Sequence, residues 1–306
     1  MEPPGQRSLN LLPQNFGELA PEFSSFDSSC VVILPVPYDA TTSWQPGTRH
    51  GPKAIIEAST HLELFDEELQ SEPYRVGIHT LNPLQPSTSG PEETLQRVEQ
   101  AVSFILEHEK FPVMLGGEHS ITLGAVRPLL KKHKMLSVLQ LDAHADLRDS
   151  FSGSRFNHAC VARRIHELGV SLVQIGVRGM STEEANYLKD SDVTTALAVD
   201  IQRDVSLIEE ALAKLKSPVY ITVDLDVFDP AVCPSVGTPE PGGLDWYTVL
   251  GILRVVSKAH EVLGFDVVEL CPISGLIAAD FLAAKLVYKL IGYLSHQIEK
   301  RRLNWR

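Results

Sequence analysis

The sequence predicts an α/β fold in which helices cover both faces of a mainly parallel β-sheet. Short segments rich in valine, isoleucine and leucine alternate along the chain with longer segments whose apolar residues recur every three or four positions. The first pattern is typical of strands buried on both faces, and the second of helices with one buried face. Because the two patterns alternate without a linker or an internal repeat, we expect one α/β domain.

The composition limits the classes of protein to which the chain can belong. Its 306 residues are 43% hydrophobic and 22% charged, as in ordinary globular proteins. A net charge of −12 argues against nucleic acid or an anionic membrane as a partner and mildly favours a cationic small molecule. No apolar run approaches the roughly 18 residues of a membrane span, and the N-terminus lacks the features of a secretory signal. With four widely spaced cysteines and no C-x-x-C pair, we expect a cytoplasmic protein with reduced thiols.

The first part of the chain predicts an N-terminal arm followed by the domain. Residues 1–28 are rich in proline, serine and glycine, which favours an arm that lies over the surface or against a neighbouring subunit. The domain is then expected to span residues 29–306. Its first strand is the β-branched run 30–35, and Pro52 suits the first turn of a helix that continues over 53–59. Residues 72–91 are rich in proline and predict an irregular segment.

Helices and strands are predicted to alternate through the rest of the domain. In residues 92–110, Leu95, Val98 and Val102 lie on one helical face, so this segment predicts a helix with one buried face. Further helices are expected at 121–132, 160–168, 182–189, 205–214, 246–259 and 277–297. The apolar runs between them predict strands at 111–115, 136–141, 171–177, 194–199, 219–225 and 262–270.

Histidine and acidic residues follow four of these strands at their carboxyl ends, where open parallel α/β sheets bind ligands. They are His119, Asp142, His144, Asp146, Asp224, Asp226 and Glu269. Residues two apart in an extended chain share a face, so Asp142, His144 and Asp146 can converge on one point. A single histidine or aspartate after a strand is more often a loop residue or a helix cap. Capping does not readily explain seven such residues at one edge.

The number and type of these residues indicate a pair of metal ions. Two imidazoles and four aspartates are too many ligands for one catalytic ion that must keep a position open. A pair fits better: if Asp142 and Asp224 bridge the ions, each ion receives an imidazole and several oxygens, with room for a shared water. The oxygen-rich ligand set favours Mn²⁺ over Zn²⁺.

The charge of this site predicts the class of substrate. Two divalent cations and four aspartates balance, so a bridging hydroxide and an ionised Glu269 leave the site negative. Metal binding can lower the pKa of water to about 7 and supply that hydroxide at neutral pH. A negative site suits a cationic electrophile and repels phosphate esters. Glu269 could hold a planar guanidinium through two parallel hydrogen bonds.

Three segments resemble the metal-binding signatures of the ureohydrolase family, which includes arginases and agmatinases. They are Gly116-Gly117-Glu118-His119-Ser120, Leu141-Asp142-Ala143-His144-Ala145-Asp146 and Thr222-Val223-Asp224-Leu225-Asp226-Val227-Phe228-Asp229-Pro230. The resemblance covers about residues 31–290. It implies a three-layer α/β/α sandwich with a central mainly parallel sheet and two Mn²⁺ per subunit. It also implies a homotrimer or homohexamer and hydrolysis of a guanidino group to urea and an amine.

The resemblance also implies a role for individual residues. One ion is assigned His119, Asp142, Asp146 and Asp224, and the other His144, Asp142, Asp224 and Asp226. Glu269 would pair with the substrate guanidinium, and Asp146 or Asp226 would steady the tetrahedral intermediate. His158 resembles the family's proton shuttle toward the leaving amine and would also contact the substrate. Its surroundings, Asn157-His158-Ala159-Cys160, depart from the family's His-Gly-Thr pattern, and a solvated or capping histidine is the alternative.

Two further segments bear on the substrate. Gly237-Thr238-Pro239-Glu240-Pro241-Gly242-Gly243 resembles the agmatinase version of this loop, which implies substrate binding by Glu240; the alternative is a loop that proline and glycine make stiff for any substrate. Arg49 also lies in a family segment, and we interpret it as half of a structural ion pair. Cys271-Pro272-Ile273-Ser274-Gly275 replaces the usual family run after Glu269, so the contacts of the distal part of the substrate stay open.

The leading hypothesis is an agmatinase that produces urea and putrescine. Three other substrates are alternatives within the class: guanidinobutyrate, arginine and N1-aminopropylagmatine. The last of these would give spermidine. Arginine is less favoured because residues 147–155 do not reproduce the arginase contacts to the α-carboxylate. A one-metal zinc deacetylase and a non-catalytic homologue are the alternatives outside it. The presence of His119 and Asp146 argues against the first, and the complete ligand set with Glu269 argues against the second.

Overall fold

Eight parallel strands form one sheet in residues 14–304, the part of the chain that the computed structural model describes. Across the sheet their order is β2-β1-β3-β8-β7-β4-β5-β6. The strands are β1 (Val31–Val36), β2 (Ile78–Thr80), β3 (Phe111–Gly116), β4 (Ser137–Leu141), β5 (Ser171–Val177), β6 (Thr194–Leu197), β7 (Val219–Asp224) and β8 (Val262–Val268).

Ten α-helices occur in the same residues. They are α1 (Pro21–Ser24), α2 (Gly51–Ser59), α3 (Pro91–Glu107), α4 (Thr122–Lys132), α5 (Val161–Glu167), α6 (Thr182–Asp190), α7 (Ala198–Arg203), α8 (Ser206–Leu212), α9 (Trp246–Ala259) and α10 (Ala278–Asn304). Local sequence explains several of their starts. Proline occupies the first turn of α2 and α3, where a missing N–H costs nothing, and Ser181 and Glu184 form a capping box at α6.

The sheet lies between two helical layers because successive strand residues point to opposite faces. In β1, Ile33 belongs to an apolar cluster with α2, α9 and α10, whereas Val32 and Leu34 belong to a second cluster with α3, α4 and α5. Each face of the sheet therefore has its own apolar core. This arrangement confirms the prediction of a central parallel sheet between two layers of helices.

The structure corrects two predicted segments. Residues 72–91 are not wholly irregular, because Ile78–Thr80 pairs in parallel with β1 as the edge strand β2. Three residues are too few to produce a recognisable alternation. The strand predicted at 194–199 ends at Leu197, and Val199 lies in helix α7.

The predicted arm is described only in part, since residues 1–13 lie outside the described residues. Phe16 is fully buried in the apolar cluster of α2 and α10, and the Gly17 N–H donates to Ser59 Oγ at 2.8 Å. The division into an arm and a domain stays a prediction. No helix in residues 14–304 has both the length and the apolar character required to cross a bilayer.

Candidate metal and substrate site

The strand order brings the predicted site residues together at one edge of the sheet. β3, β8, β7 and β4 are consecutive neighbours, so their carboxyl ends lie side by side. His119 follows β3, Glu269 follows β8, Asp224 ends β7, and Asp142 follows β4. Residues that are far apart in the chain therefore meet because the sheet places their strands next to each other.

The first group of possible ligands surrounds the imidazole of His119. His119 Nδ1 lies 3.0 Å from Asp142 Oδ2, 3.3 Å from Asp146 Oδ2 and 3.3 Å from Asp224 Oδ2. All four side chains are buried. His119, Asp142 and Asp224 each offer a ligand atom, and these atoms lie within 4.8 Å of one another.

The other nitrogen of this ring fixes what Nδ1 can do. His119 Nε2 lies 2.8 Å from Thr222 Oγ1, and the Thr222 hydroxyl donates to Asp266 Oδ1 at 2.5 Å. Since a hydroxyl has one proton, Thr222 accepts the Nε2–H of the imidazole, so when the ring is neutral its lone pair is on Nδ1. Nδ1 is buried without a hydrogen-bond partner. A lone pair surrounded by carboxylate oxygens suits a cation, so the donor set fits a metal ion.

The second group shares Asp142 with the first. His144 Nδ1 lies 2.8 Å from Asp226 Oδ2 and 3.7 Å from Asp142 Oδ1. Asp142, His144 and Asp226 again offer ligand atoms within 4.8 Å of one another. Asp142 thus contributes to both groups, as expected for a bridge. The second group does not include Asp224, whose Oδ1 accepts the Asp226 N–H at 2.9 Å, so bridging by Asp224 stays a prediction.

Buried polar residues inside the strands orient these ligands, and the sequence reasoning missed them. Gln174 Nε2 donates to Gln140 Oε1 at 3.0 Å, and Gln140 Nε2 donates to Asp142 Oδ2 at 2.7 Å. On the neighbouring strands, Asp266 accepts hydrogen bonds from Thr222 and Tyr220. The sequence did contain a signal, namely a single amide or carboxylate in an otherwise apolar strand. Such a group is buried only when it has hydrogen-bond partners, so its presence predicts a buried polar contact.

Two site residues have an unusual backbone conformation. Asp146 has φ 51° and Glu269 has φ 66°, in the left-handed region that residues other than glycine seldom occupy. Strain of this kind costs about 1–3 kcal/mol per residue and is concentrated at functional sites. Hydrogen bonds hold Glu269 in place, from its N–H to Gly117 O at 2.9 Å and from the His119 N–H to its Oε1 at 2.7 Å.

The site is strongly acidic. Burial and then the charge of Asp142 raise the pKa of Asp146 to about 7. Burial and then the charges of Asp226 and Asp142 raise the pKa of Asp224 well above its usual value. Burial and the charge of Glu118 do the same to the pKa of Glu269. Because several carboxylates are buried together, the site favours cations, which would stabilise all of them in the ionised form.

Gly237 lies beside the carboxylate of Glu269, and His158 has a ring nitrogen without a partner. A Cβ atom on Gly237 would lie 3.7 Å from Glu269 Oε2 and 3.4 Å from Gln45 O, in ordinary van der Waals contact with both. His158 is half-buried, and its Nε2 has no hydrogen-bond partner. Burial and then the charges of His144 and His119 lower the pKa of His158 to about 4.

Glu240 lies at the exposed rim of the second ligand group. Its Oε1 is 4.0 Å from His144 Nε2, and 44% of its side chain is exposed. Arg178 holds the neighbouring backbone, because its guanidinium donates to Asp226 O at 2.6 Å, Phe228 O at 3.2 Å and Glu240 O at 2.8 Å. The sequence analysis did not single out Arg178, since nothing in the pattern marks an arginine that binds only backbone carbonyls. The predicted ion pair of Arg49 is confirmed, with Asp39 as its partner.

The chain is similar to known proteins over most of its length. The sequence model of the arginase family matches residues 29–292. An N(1)-aminopropylagmatine ureohydrolase of Synechocystis sp. is 40% identical, with 94% of this chain and 96% of that protein aligned. An agmatinase of Pyrococcus horikoshii is 38% identical, with 85% and 90% aligned. The solved agmatine ureohydrolase of Thermoplasma volcanium is 32% identical, has a TM-score of 0.86 and covers 96% of this chain and 98% of its own.

Proposed function

This chain belongs to the arginase family, and from this premise we propose that it hydrolyses the guanidino group of a small cationic substrate to urea and an amine. The observation that carries the proposal is the pair of ligand groups that share Asp142 and lie beside Glu269. One group of ligands would support a single-metal enzyme, whereas two groups with a common carboxylate suit a pair of ions.

The proposed cofactor is two Mn²⁺ ions per subunit. His119, Asp142, Asp146 and Asp224 would hold one ion, and His144, Asp142, Asp224 and Asp226 the other. Six side chains with four carboxylates form an oxygen-rich set, which favours Mn²⁺ over Zn²⁺. When bound, the ions supply a nucleophile at neutral pH by lowering the pKa of water.

Glu269 is proposed to bind and orient the guanidinium. Its Oε1 accepts the His119 N–H at 2.7 Å and keeps a second lone pair, and Oε2 lies on the side of Gly237, so both oxygens can accept from a guanidinium. A guanidinium that pairs with this carboxylate is held in a fixed plane, which brings its carbon to a defined place beside the ligand groups. Asp146, whose Oδ2 lies 3.3 Å from His119 Nδ1, would stabilise the tetrahedral intermediate.

His158 is proposed to move a proton to the leaving amine. Its lowered pKa leaves the imidazole neutral at pH 7, so the free Nε2 can accept the proton that the attacking water gives up and then deliver it to the departing nitrogen. Expulsion of the amine requires this proton, because a neutral amine is a far better leaving group than an amide anion.

The proposed substrate is agmatine, with N1-aminopropylagmatine as the second candidate, since relatives named for both align over most of this chain. Both carry a cationic amine at the end distal to the guanidinium. Glu240 would contact that amine from the rim. Arginine and guanidinobutyrate have a carboxylate near the same end, which the acidic site would disfavour.

Urea release tests the proposal. The protein loaded with Mn²⁺ is given agmatine, N1-aminopropylagmatine, arginine and guanidinobutyrate in parallel, and we expect the first two to release urea fastest. A metal-loaded protein that releases no urea from the whole panel would overturn the proposal. A content of one metal ion per chain with amide hydrolysis would instead favour the deacetylase class.

The assembly and location are further proposals, based on the family resemblance and the composition. We propose a homotrimer or homohexamer in the cytoplasm, with no nucleic-acid or membrane partner. Sedimentation of the purified protein measures the number of subunits, and a monomer would contradict the first of these proposals.

A further inference from the structure

A buried glutamate outside the proposed ligand set contacts the loop between β1 and α2. Glu118 is fully buried, and its carboxylate accepts hydrogen bonds from the Thr41 N–H at 2.6 Å and the Thr41 hydroxyl at 2.5 Å. The Ser120 hydroxyl donates to the same carboxylate at 2.5 Å. Both oxygens of Glu118 are therefore engaged, and Thr41 is attached to it at two points.

Thr41 is also attached at two points to the segment that carries His158. The His158 N–H donates to Thr41 Oγ1 at 3.0 Å, and Asn157 Nδ2 donates to Thr41 O at 3.0 Å. Asn157 Oδ1 in turn accepts the Ala159 N–H at 2.9 Å and caps the short helix that begins at His158. A continuous chain of hydrogen bonds thus links Glu118 to the backbone of His158 through one threonine.

The Thr41 hydroxyl can donate in one of these hydrogen bonds and accept in another. A hydroxyl has one proton to donate and lone pairs that accept. The Thr41 hydroxyl donates its proton to Glu118, so the oxygen is free to accept the His158 N–H. Serine can replace both functions, whereas valine has the same shape as threonine and can replace neither.

We propose that Glu118 is a positioning residue that acts through Thr41 on His158 and fixes the place of its imidazole relative to the reacting nitrogen. The inference rests on the proposed function, in which His158 delivers a proton to the leaving amine. The carboxylate is 77 residues from Thr41 and 40 residues from His158 in the sequence, so it holds a loop that local structure alone would not fix. Displacement of a catalytic group by about 1 Å can lower the rate about 100-fold.

Kinetics of matched variants test the proposal with Mn²⁺-loaded protein and the best substrate of the panel. Thr41→Val is expected to lower kcat at least about tenfold with little change in KM, and Glu118→Gln to act in the same direction. Thr41→Ser is expected to stay within about twofold of the natural protein. Thr42→Val is the control, because Thr42 lies next to Thr41 but donates only to Asp39 O at 3.3 Å.

A double-variant cycle distinguishes positioning of His158 from a general loss of structure. In a His158→Ala background, Thr41→Val is expected to have almost no further effect on kcat, because the group that it positions is absent. An equal loss in both backgrounds would overturn the proposal. Full activity of Thr41→Val would also overturn it and would leave the proposed function intact, whereas a natural protein that releases no urea would overturn both.

Two further measurements do not depend on activity. The metal content of Thr41→Val is expected to equal that of the natural protein, and a lower content would assign the effect to the ligands and overturn the proposal. A crystal structure of the Thr41→Val variant is expected to show segment 157–159 displaced while His119 and Asp142 keep their places. An unmoved His158 in that structure would contradict the proposal.

Discussion

The carboxylate of Glu269 accepts the backbone N–H of His119 at 2.7 Å, although the two residues are 150 positions apart in the chain. This hydrogen bond connects the proposed guanidinium-binding residue to a proposed metal ligand on the adjacent strand. One carboxylate oxygen is held by the protein, and the carboxylate keeps further lone pairs, which we propose bind the substrate. The hydrogen bond therefore fixes the position of the proposed guanidinium-binding carboxylate relative to the proposed metal ligands.

Replacement of Glu269 by glutamine should separate substrate binding from metal binding. The amide oxygen can still accept the His119 N–H, but the charge that pairs with guanidinium is lost. We expect kcat/KM to fall about 100-fold or more, the scale of a lost partner in a buried charged pair. Two metal ions per subunit should remain, as measured by atomic emission. Loss of the metals in Glu269→Gln would contradict the assignment of Glu269 to the substrate.

Replacement of Asp142 or Asp224 by alanine should abolish manganese-dependent urea release. Asp142 contributes to both ligand groups, so its removal should lower the affinity for both ions. Asp190→Ala, on the exposed end of α6, is the matched control and should keep full activity. Full activity in Asp142→Ala or in Asp224→Ala would contradict the role of that residue as a bridge.

Removal of the metals should destabilise the protein as well as inactivate it. Without cations, the buried carboxylates around His119 repel one another. Binding to the folded state stabilises it by about 2.7 kcal/mol at a ligand concentration 100 times the Kd. We expect chelation to lower the Tm, and added Mn²⁺ to restore both Tm and activity. A Tm that does not respond to Mn²⁺, or that responds equally in Asp142→Ala, would argue against metal binding at these residues.

Glu240→Gln should test whether this rim residue binds the distal amine. If it does, KM for agmatine should rise about two- to fivefold, the scale of a partly exposed ion pair, with kcat nearly unchanged. KM for butylguanidine, which lacks that amine, should not change. Glu240 Oε1 also lies 4.0 Å from His144 Nε2, a proposed metal ligand. A weaker affinity for Mn²⁺ with an equal effect on both substrates would therefore contradict binding of the amine by Glu240.

A buried lysine away from the site should be important for stability. Lys289 Nζ lies 3.0 Å from Asp66 Oδ1, and both side chains are almost fully buried. Lys289→Met would remove this pair together with those to the less buried Glu67 and Glu68, and an uncompensated buried charge on Asp66 typically costs about 3–5 kcal/mol of the free energy of unfolding. Lys285→Met, one turn earlier on α10, removes a partner of the exposed Glu67 and should cost less than about 1 kcal/mol. Denaturant unfolding measures both, and equal losses would contradict this explanation.

The sequence by itself determined the α/β class, most element positions and the identity of the residues that meet at the site. Alternating periodicities identify buried strands and amphipathic helices, and carboxyl ends of parallel strands must lie on one edge of a sheet. His119, Asp142 and Asp224 could therefore be expected to meet without knowledge of the strand order. The edge strand Ile78–Thr80 escaped prediction because it is too short for a periodic signal.

Only the tertiary structure decided how these residues are arranged. The sheet order makes β3, β8, β7 and β4 neighbours, the left-handed backbone at Glu269 fixes where its side chain points, and Thr41 connects Glu118 to His158. These features depend on contacts between residues that are far apart in the chain, such as His119 and Glu269, which are 150 positions apart. Periodicity reports which face of an element is buried, but it contains no information about which element will pack against that face.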